Sequence, residues 1–176
     1  MKHKHLISFL SLFLLLTACD KEESMVWDMT PVELQISVVD QDYNDLLNPR
    51  NEYALDLTKI KGLHLEKEYS CKPMDDNTRY YLPTFYGLKQ ARMEHENIYI
   101  LRIGEFDGAL NFKDESFRIL WEDGTSDTFT FNREVKKKKN DWRIKEELYH
   151  NGVKVSDNLR KVIRISKWID KSESKK

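Results

Sequence analysis

Along most of this chain apolar and polar residues alternate with a period of two. Val32, Leu34, Ile36 and Val38 are separated by Glu33, Gln35 and Ser37, the pattern of a strand with one buried and one wet face. Phe117, Ile119 and Trp121 alternate with Ser116, Arg118 and Leu120 before Glu122-Asp123-Gly124-Thr125-Ser126 turns the chain, and Phe129 and Phe131 then alternate with threonines. That is the strongest hairpin signal in the sequence. A second hairpin places Trp142, Ile144 and Leu148 on one strand, Asn151-Gly152 at a tight turn that needs positive φ, and Val153 to Val155 on the return. Ile98 to Ile103 is almost wholly apolar, which suits a strand buried on both faces.

Less regular segments complete the pattern. Tyr53 to Leu57 and Leu63 to Tyr69 show broken alternation around Gly62 and read as strands; the last strand is expected over Arg160 to Ile169. Asp40 to Arg50 reads as a loop with Leu46-Leu47 tucked beneath it, and Cys71 to Arg79 as an exposed one. Pro83, lacking an amide donor, confines the aromatic stretch around it to an edge or an irregular segment. No helical stripe stands out and no repeat is visible. The expectation is an all-β chain folded as an antiparallel two-sheet β-sandwich, immunoglobulin-like, with about seven to nine strands. It lacks the Cys…Trp…Cys framework of antibody-type domains.

The N-terminus breaks the alternation. Met1-Lys2-His3-Lys4-His5 is a short positive stretch, followed by an apolar run from Leu6 to Leu16 that is too short to span a bilayer. Leu16-Thr17-Ala18-Cys19 closes that run and resembles the lipobox of bacterial lipoproteins. The resemblance implies cleavage before Cys19, a diacylglycerol on its sulfur and usually an acyl group on the new amino terminus. Each buried methylene adds roughly 0.8 kcal/mol, so two or three chains hold a protein at the membrane effectively permanently. Residues 1–18 are then a leader, 19–30 a flexible tether, 31–169 the sandwich and 170–176 a solvated tail. Lys21-Glu22-Glu23 resembles the lysine-plus-acids signal that sends lipoproteins of the Bacteroidetes to the cell surface. Asp20 is of the kind associated with inner-membrane retention in enterobacteria. The outer membrane is the expected site, with the cell surface favoured over the periplasmic face.

Composition narrows the function. Lys2 and Lys4 leave with the leader, so 27 of the 29 Lys and Arg face 30 Asp and Glu in the mature chain. That mildly acidic balance gives no reason to expect nucleic acid as a partner. Of the two cysteines Cys19 is committed to lipid, which leaves Cys71 without an intramolecular partner; it reads as a buried structural thiol.

Candidate chemistry is sparse. Asp107, Asp114, Asp123 and Asp127 lie near turns but lack the dense alternation of a calcium loop, and Asp at turns ordinarily bonds its own backbone. Glu66 and Glu68 share a predicted strand face, a spacing that exposed strands supply routinely, so no glycosidase pair is assigned. His95-Glu96 lacks the second histidine of a zinc helix, and no nucleophile elbow or phosphate-binding loop occurs. No metal, no cofactor and no catalysis are expected. Tyr80, Tyr81, Phe85 and Tyr86 are the candidate binding surface for a sugar or peptide, although neighbours on a strand point opposite ways and only alternate rings share a platform. Lys136-Lys137-Lys138-Lys139 reads as a solvated loop or a contact with anionic headgroups or polysaccharide.

Gly104-Glu105-Phe106-Asp107-Gly108, together with Phe117 to Thr128, resembles small uncharacterised β-sandwich lipoproteins of the Bacteroidetes. Trp121-Glu122-Asp123-Gly124-Thr125 is also similar to the tryptophan and Asp-Gly turn of polycystic-kidney-disease-type domains, with Glu122 where they usually carry glycine. Those modules are Ig-like and usually non-catalytic, with adhesion or carbohydrate-associated roles. The expected function is a lipid-anchored, non-catalytic envelope lipoprotein that binds a glycan or protein partner. The alternative is a periplasmic structural or assembly accessory without a small ligand.

Overall fold

The computed structural model describes residues 29–74, 84–138 and 141–172. Cys19, most of the expected tether, Tyr80, Tyr81 and Pro83 lie outside them. Ten strands follow in order: β1 Val32–Val39, β2 Lys61–His64, β3 Lys67–Ser70, β4 Gly87–Met93, β5 Ile98–Phe106, β6 Phe112–Leu120, β7 Ser126–Lys138, β8 Asp141–His150, β9 Val153–Ser156 and β10 Val162–Ser166. They form a four-stranded sheet, β10-β1-β5-β4, packed on a six-stranded sheet, β3-β2-β6-β7-β8-β9. The chain is an all-β two-sheet sandwich, as the period-two pattern predicts.

The core follows from that alternation. Leu34, Ile36 and Val38 of β1, Leu101 and Ile103 of β5, and Ile163 and Ile165 of β10 face Phe117 and Ile119 of β6, Phe129 and Phe131 of β7 and Leu148 of β8. Burying each large side chain contributes about 1.5–3 kcal/mol. β5 lies between β1 and β4 and is buried on both faces, with Ile100 on the side away from the core only 2% exposed. Leu46 and Leu47 are buried beneath their loop. The two hairpins form as expected: Phe117 pairs with Phe129, and Asn151 and Gly152 both take positive φ at the β8–β9 turn.

Several expectations change. Pairing between the named strands is antiparallel except between β1 and β10, which run parallel, and an isolated parallel bridge joins Lys72 to Lys89; more than a hundred residues separate β1 and β10, so the long crossover that parallel pairing requires is available. The strand count is ten because Leu63 to Tyr69 is two strands, β2 and β3, joined by Leu65 and Glu66 in the left-handed region at φ 46° and 63°. Glu66 is thus a turn residue and shares no strand face with Glu68, which pairs with Lys61 at 2.8 Å. Tyr53 to Leu57 is no strand: Asn51 and Asp56 side chains bond the backbone amides of Tyr53 and Thr58, favouring a turn and a 3-10 turn over a ladder. β4 had no clear alternation, since its inward Gln90 is polar; its amide donates to the carbonyl of Leu47 at 2.7 Å. The expected solvated tail is tied down at its start, where Lys171 reaches the buried Asp40 at 2.8 Å and Asp42 at 2.5 Å.

The two ends of the sandwich differ. The chain enters beside the β5–β6 turn, where the carbonyl of Thr30 approaches Gly108 so closely that a Cβ there would lie 2.2 Å from it. Arg133 of β7 binds the Gly108 carbonyl and Glu146 of β8 at the same level. Beyond that level β7 and β8 continue as a two-stranded arm to Lys138 and Asp141. The opposite end carries the β6–β7 turn, the end of β8 and the exit of β10.

Candidate functional site

Phe85 and Tyr86 divide between core and surface. Phe85 packs among His64, Phe106 and Tyr69, with ring centroids 4.5, 5.1 and 5.2 Å away. Tyr86 is half-buried; its hydroxyl donates to Glu33 at 2.6 Å, and Lys89 sits over its ring at 4.5 Å. Burial and the neighbouring Glu33 carboxylate both push its phenol pKa up, and Arg102 pairs with the same carboxylate. Both rings are thus already occupied within the fold. The remaining acids and histidines of the sequence reading are dispersed: Asp107 and Asp123 cap their own turns through the amides of Ala109 and Thr125, Asp114 takes φ 52° at a register shift in β6, and His95-Glu96 lies in the β4–β5 turn. His64 is bonded to Glu115 at 2.5 Å amid the aromatic cluster. Among the described residues no three His, Cys, Asp or Glu side chains converge as a metal site requires. Cys71 is buried, and burial pushes its thiol up to about 12, far from the range of a reactive nucleophile.

At the end opposite the chain entrance, a groove of about 470 Å³ runs between the β6–β7 turn and β10. Its floor is a hydrogen-bonded set built on Asp127. Trp121 donates its indole N–H to Asp127 Oδ2 at 2.6 Å; His150 Nε2 and Asn151 Nδ2 meet Oδ1 at 2.5 and 2.8 Å. Burial opposes ionisation of Asp127, but these bonds outweigh it and hold the carboxyl below its usual range. The His150 ring is fixed further by stacking on Phe129, with centroids 5.0 Å apart. Beside it Lys167 lies over the Trp121 ring and bonds Asp123 and Thr125 at 2.7 and 2.9 Å. Burial again opposes ionisation, yet Lys167 and Thr125 bring the Asp123 carboxyl down to about 2. Each groove carboxylate is therefore already matched by a cationic or N–H partner.

What remains open is a different set. Trp168 is 81% exposed at the rim. Arg164, on the outer side of edge strand β10, is exposed and has no ion-pair partner among the described residues; it lines this groove and a second one of about 440 Å³ that continues past Arg160 and Lys161. Ser126 and Ser166 add hydroxyls. A broad indole face, a planar guanidinium and hydroxyls in a concave setting are the groups that stack on a sugar ring and fix its polar edges. Sequence reasoning missed this site, although Ile163 and Ile165 set the phase of β10 and place Arg164, Ser166 and Trp168 on the outward side. No protein-family model, curated protein or solved structure matches the chain.

Proposed function

We propose that this protein is a lipid-anchored, non-catalytic envelope lipoprotein that holds a glycan or protein partner in the groove between the β6–β7 turn and β10. The exposed Trp168 beside an unpaired Arg164, at the end of the sandwich opposite the chain entrance, carries this reading. A tether from Cys19 to Met29 extends at most roughly 35 Å, so a domain entered at one end presents the other end away from its bilayer. The engagement of Asp123 and Asp127 favours binding over acid–base chemistry: a general base must be free to take a proton, and these carboxylates are held ionised in saturated hydrogen-bond sets. The outer membrane, with the domain facing outward, is the proposed location.

Two measurements test the proposal. Protease shaving of intact cells should digest the native lipoprotein, while a Cys19→Ala control should lose the anchor and leave the membrane fraction. Protection in intact cells with digestion after lysis would overturn the outward placement and favour the periplasmic accessory role. The full chain should also retain envelope polysaccharide in affinity electrophoresis and lose that retention in Trp168→Ala; retention equal in both would remove the groove from the reading.

A further inference from the structure

The arm formed by the distal parts of β7 and β8 carries a sidedness that the sandwich does not use. Register places Val135 opposite Ile144 and Lys137 opposite Trp142. These positions continue the phase of Phe129, Phe131 and Leu148, all fully buried in the core. Past the level of Arg133 the opposite sheet no longer covers that face: Ile144 is 46% exposed, and Val135 and Trp142 are only partly buried. The other face holds Lys136, Lys138, Arg143 and Lys145 with Glu134 and Asp141 among them; Lys136 pairs with Glu134 at 2.7 Å and Lys145 with Glu147 at 3.2 Å, and Lys138 and Arg143 have no ion-pair partner among the described residues. From Glu134 to Lys145 the described residues contain five cations and two acids, Glu134 and Asp141. The arm is an amphipathic hairpin with a tryptophan at its apolar end and a surplus of positive charge.

Its direction matters as much as its composition. Asn111 at the β5–β6 turn accepts the amide of Val135 at 2.6 Å, and Arg133 holds the carbonyl of Gly108, against which Thr30 is packed. The arm therefore leaves the sandwich where the chain enters from the Cys19 side. Five residues from Arg133 to Lys138 carry it roughly 17 Å outward at about 3.3 Å per residue, within the reach of the tether. Tryptophan at the water–lipid boundary and lysines reaching phosphates are the groups that seat an amphipathic element in a headgroup layer.

We propose that the β7–β8 arm is a membrane-contact element. Val135, Trp142 and Ile144 enter the headgroup boundary of the bilayer that holds Cys19, and Lys138 and Arg143 meet its anionic phospholipid headgroups. The contact fixes the orientation of the domain, with the Trp168 groove directed away from the membrane. The inference rests on the lipid anchor of the proposed function.

The native lipoprotein, reconstituted into vesicles containing brominated phosphatidylcholine with either no or about 30% phosphatidylglycerol, provides the test. Tryptophan quenching should be at least twofold greater in the anionic vesicles and should fall at 1 M salt, where the screening length shrinks to about 3 Å. Trp142→Phe should remove that anionic increment, and a Lys138→Glu/Arg143→Glu variant should return quenching to the neutral-vesicle level; near-UV circular dichroism should show both variants folded, since the charged side chains are exposed. Quenching that is unchanged in Trp142→Phe, or indifferent to phosphatidylglycerol, overturns the proposal. So does a soluble polygalacturonate that binds the arm while vesicles leave it unquenched. Mass spectrometry of the acyl groups on Cys19 tests the anchor alone, so an acylated protein with an unquenched arm counts against the arm and not against the anchor.

Discussion

The two ends of the sandwich are built from the same strands and treat charge in opposite ways. At the entrance end β7 and β8 run beyond the cover of the other sheet, leaving an apolar face unpartnered and, on the reverse side, Lys138 and Arg143 without an ion-pair partner among the described residues. At the far end the same two strands stop short, and the groove carboxylates are matched: Asp127 by hydrogen bonds with Trp121, His150 and Asn151, Asp123 by Lys167. There the exposed Trp168 and Arg164, which has no ion-pair partner among the described residues, stand out against a neutralised background. An unbalanced, amphipathic surface suits a large, diffuse partner such as a bilayer; a balanced groove with few open groups suits a discrete ligand. The core between the ends decides whether either survives.

That dependence gives the largest expected effect. Phe131 is fully buried on β7 midway between the ends, in ring contact with Phe106 and Phe112 at 4.9 and 5.3 Å. Phe131→Ala should cost about 3–5 kcal/mol through lost transfer energy and the cavity left behind. Chemical denaturation should show that loss, with both ends unfolding in one transition; separate transitions would mean that the ends are not held by a common core.

Next is the entrance end alone. Arg133 is 4% exposed and is compensated by Glu146 and the Gly108 carbonyl. Glu146→Gln leaves the guanidinium buried with one partner weakened, a change that costs about 3–5 kcal/mol for a fully buried pair. The lower end of that range is expected here, since the Glu146 side chain keeps 15% exposure. Proteolysis at the arm should accelerate before the groove is affected.

Acid distinguishes the far end. The Asp123 carboxyl at about 2 lies below the roughly 3.9 of an unfolded aspartate, so its contribution is present above pH 4 and is lost as the pH falls toward 2. The wild type should lose its stability advantage over Asp123→Asn in that window, as read by urea midpoints at pH 6 and pH 2.5; a constant difference between the two proteins would detach Asp123 from the acid response.

Much of this architecture is legible in the sequence, because burial on one face of a strand writes a period of two. β1, β5, the β6–β7 hairpin and the Asn151-Gly152 turn follow directly. β2, β3 and β4 do not, for local reasons: Leu65 and Glu66 occupy a left-handed turn without glycine, and Gln90 faces inward, where its amide is satisfied by a backbone carbonyl. The aromatic stretch Phe85-Tyr86 draws attention by composition, yet its rings are spent on His64, Phe106 and Glu33. Trp168, one ring among four tryptophans, gains its meaning only when β10 becomes an edge strand running parallel to β1 and turns its outward face to the groove. Long-range pairing of that kind leaves no local mark on the chain.

The smallest expected change in stability belongs to the residue on which the groove depends most. Trp168 is 81% exposed and lies past the last residue of β10, so little packing is lost on its removal; substitutions at such positions usually stay within about 0.5 kcal/mol. Trp168→Ala should therefore unfold with the midpoint of the wild type while losing retention of polysaccharide. If the same substitution destabilised the fold by more than about 1 kcal/mol, the indole would be packing for the sandwich, and its exposure would no longer argue for a ligand. A stable variant with unchanged retention would instead shift attention to Arg164, which both grooves share. Only a stable variant that no longer binds makes the difference between the two ends one of function: one end gripping the membrane through many weak charges, the other a ligand through one ring.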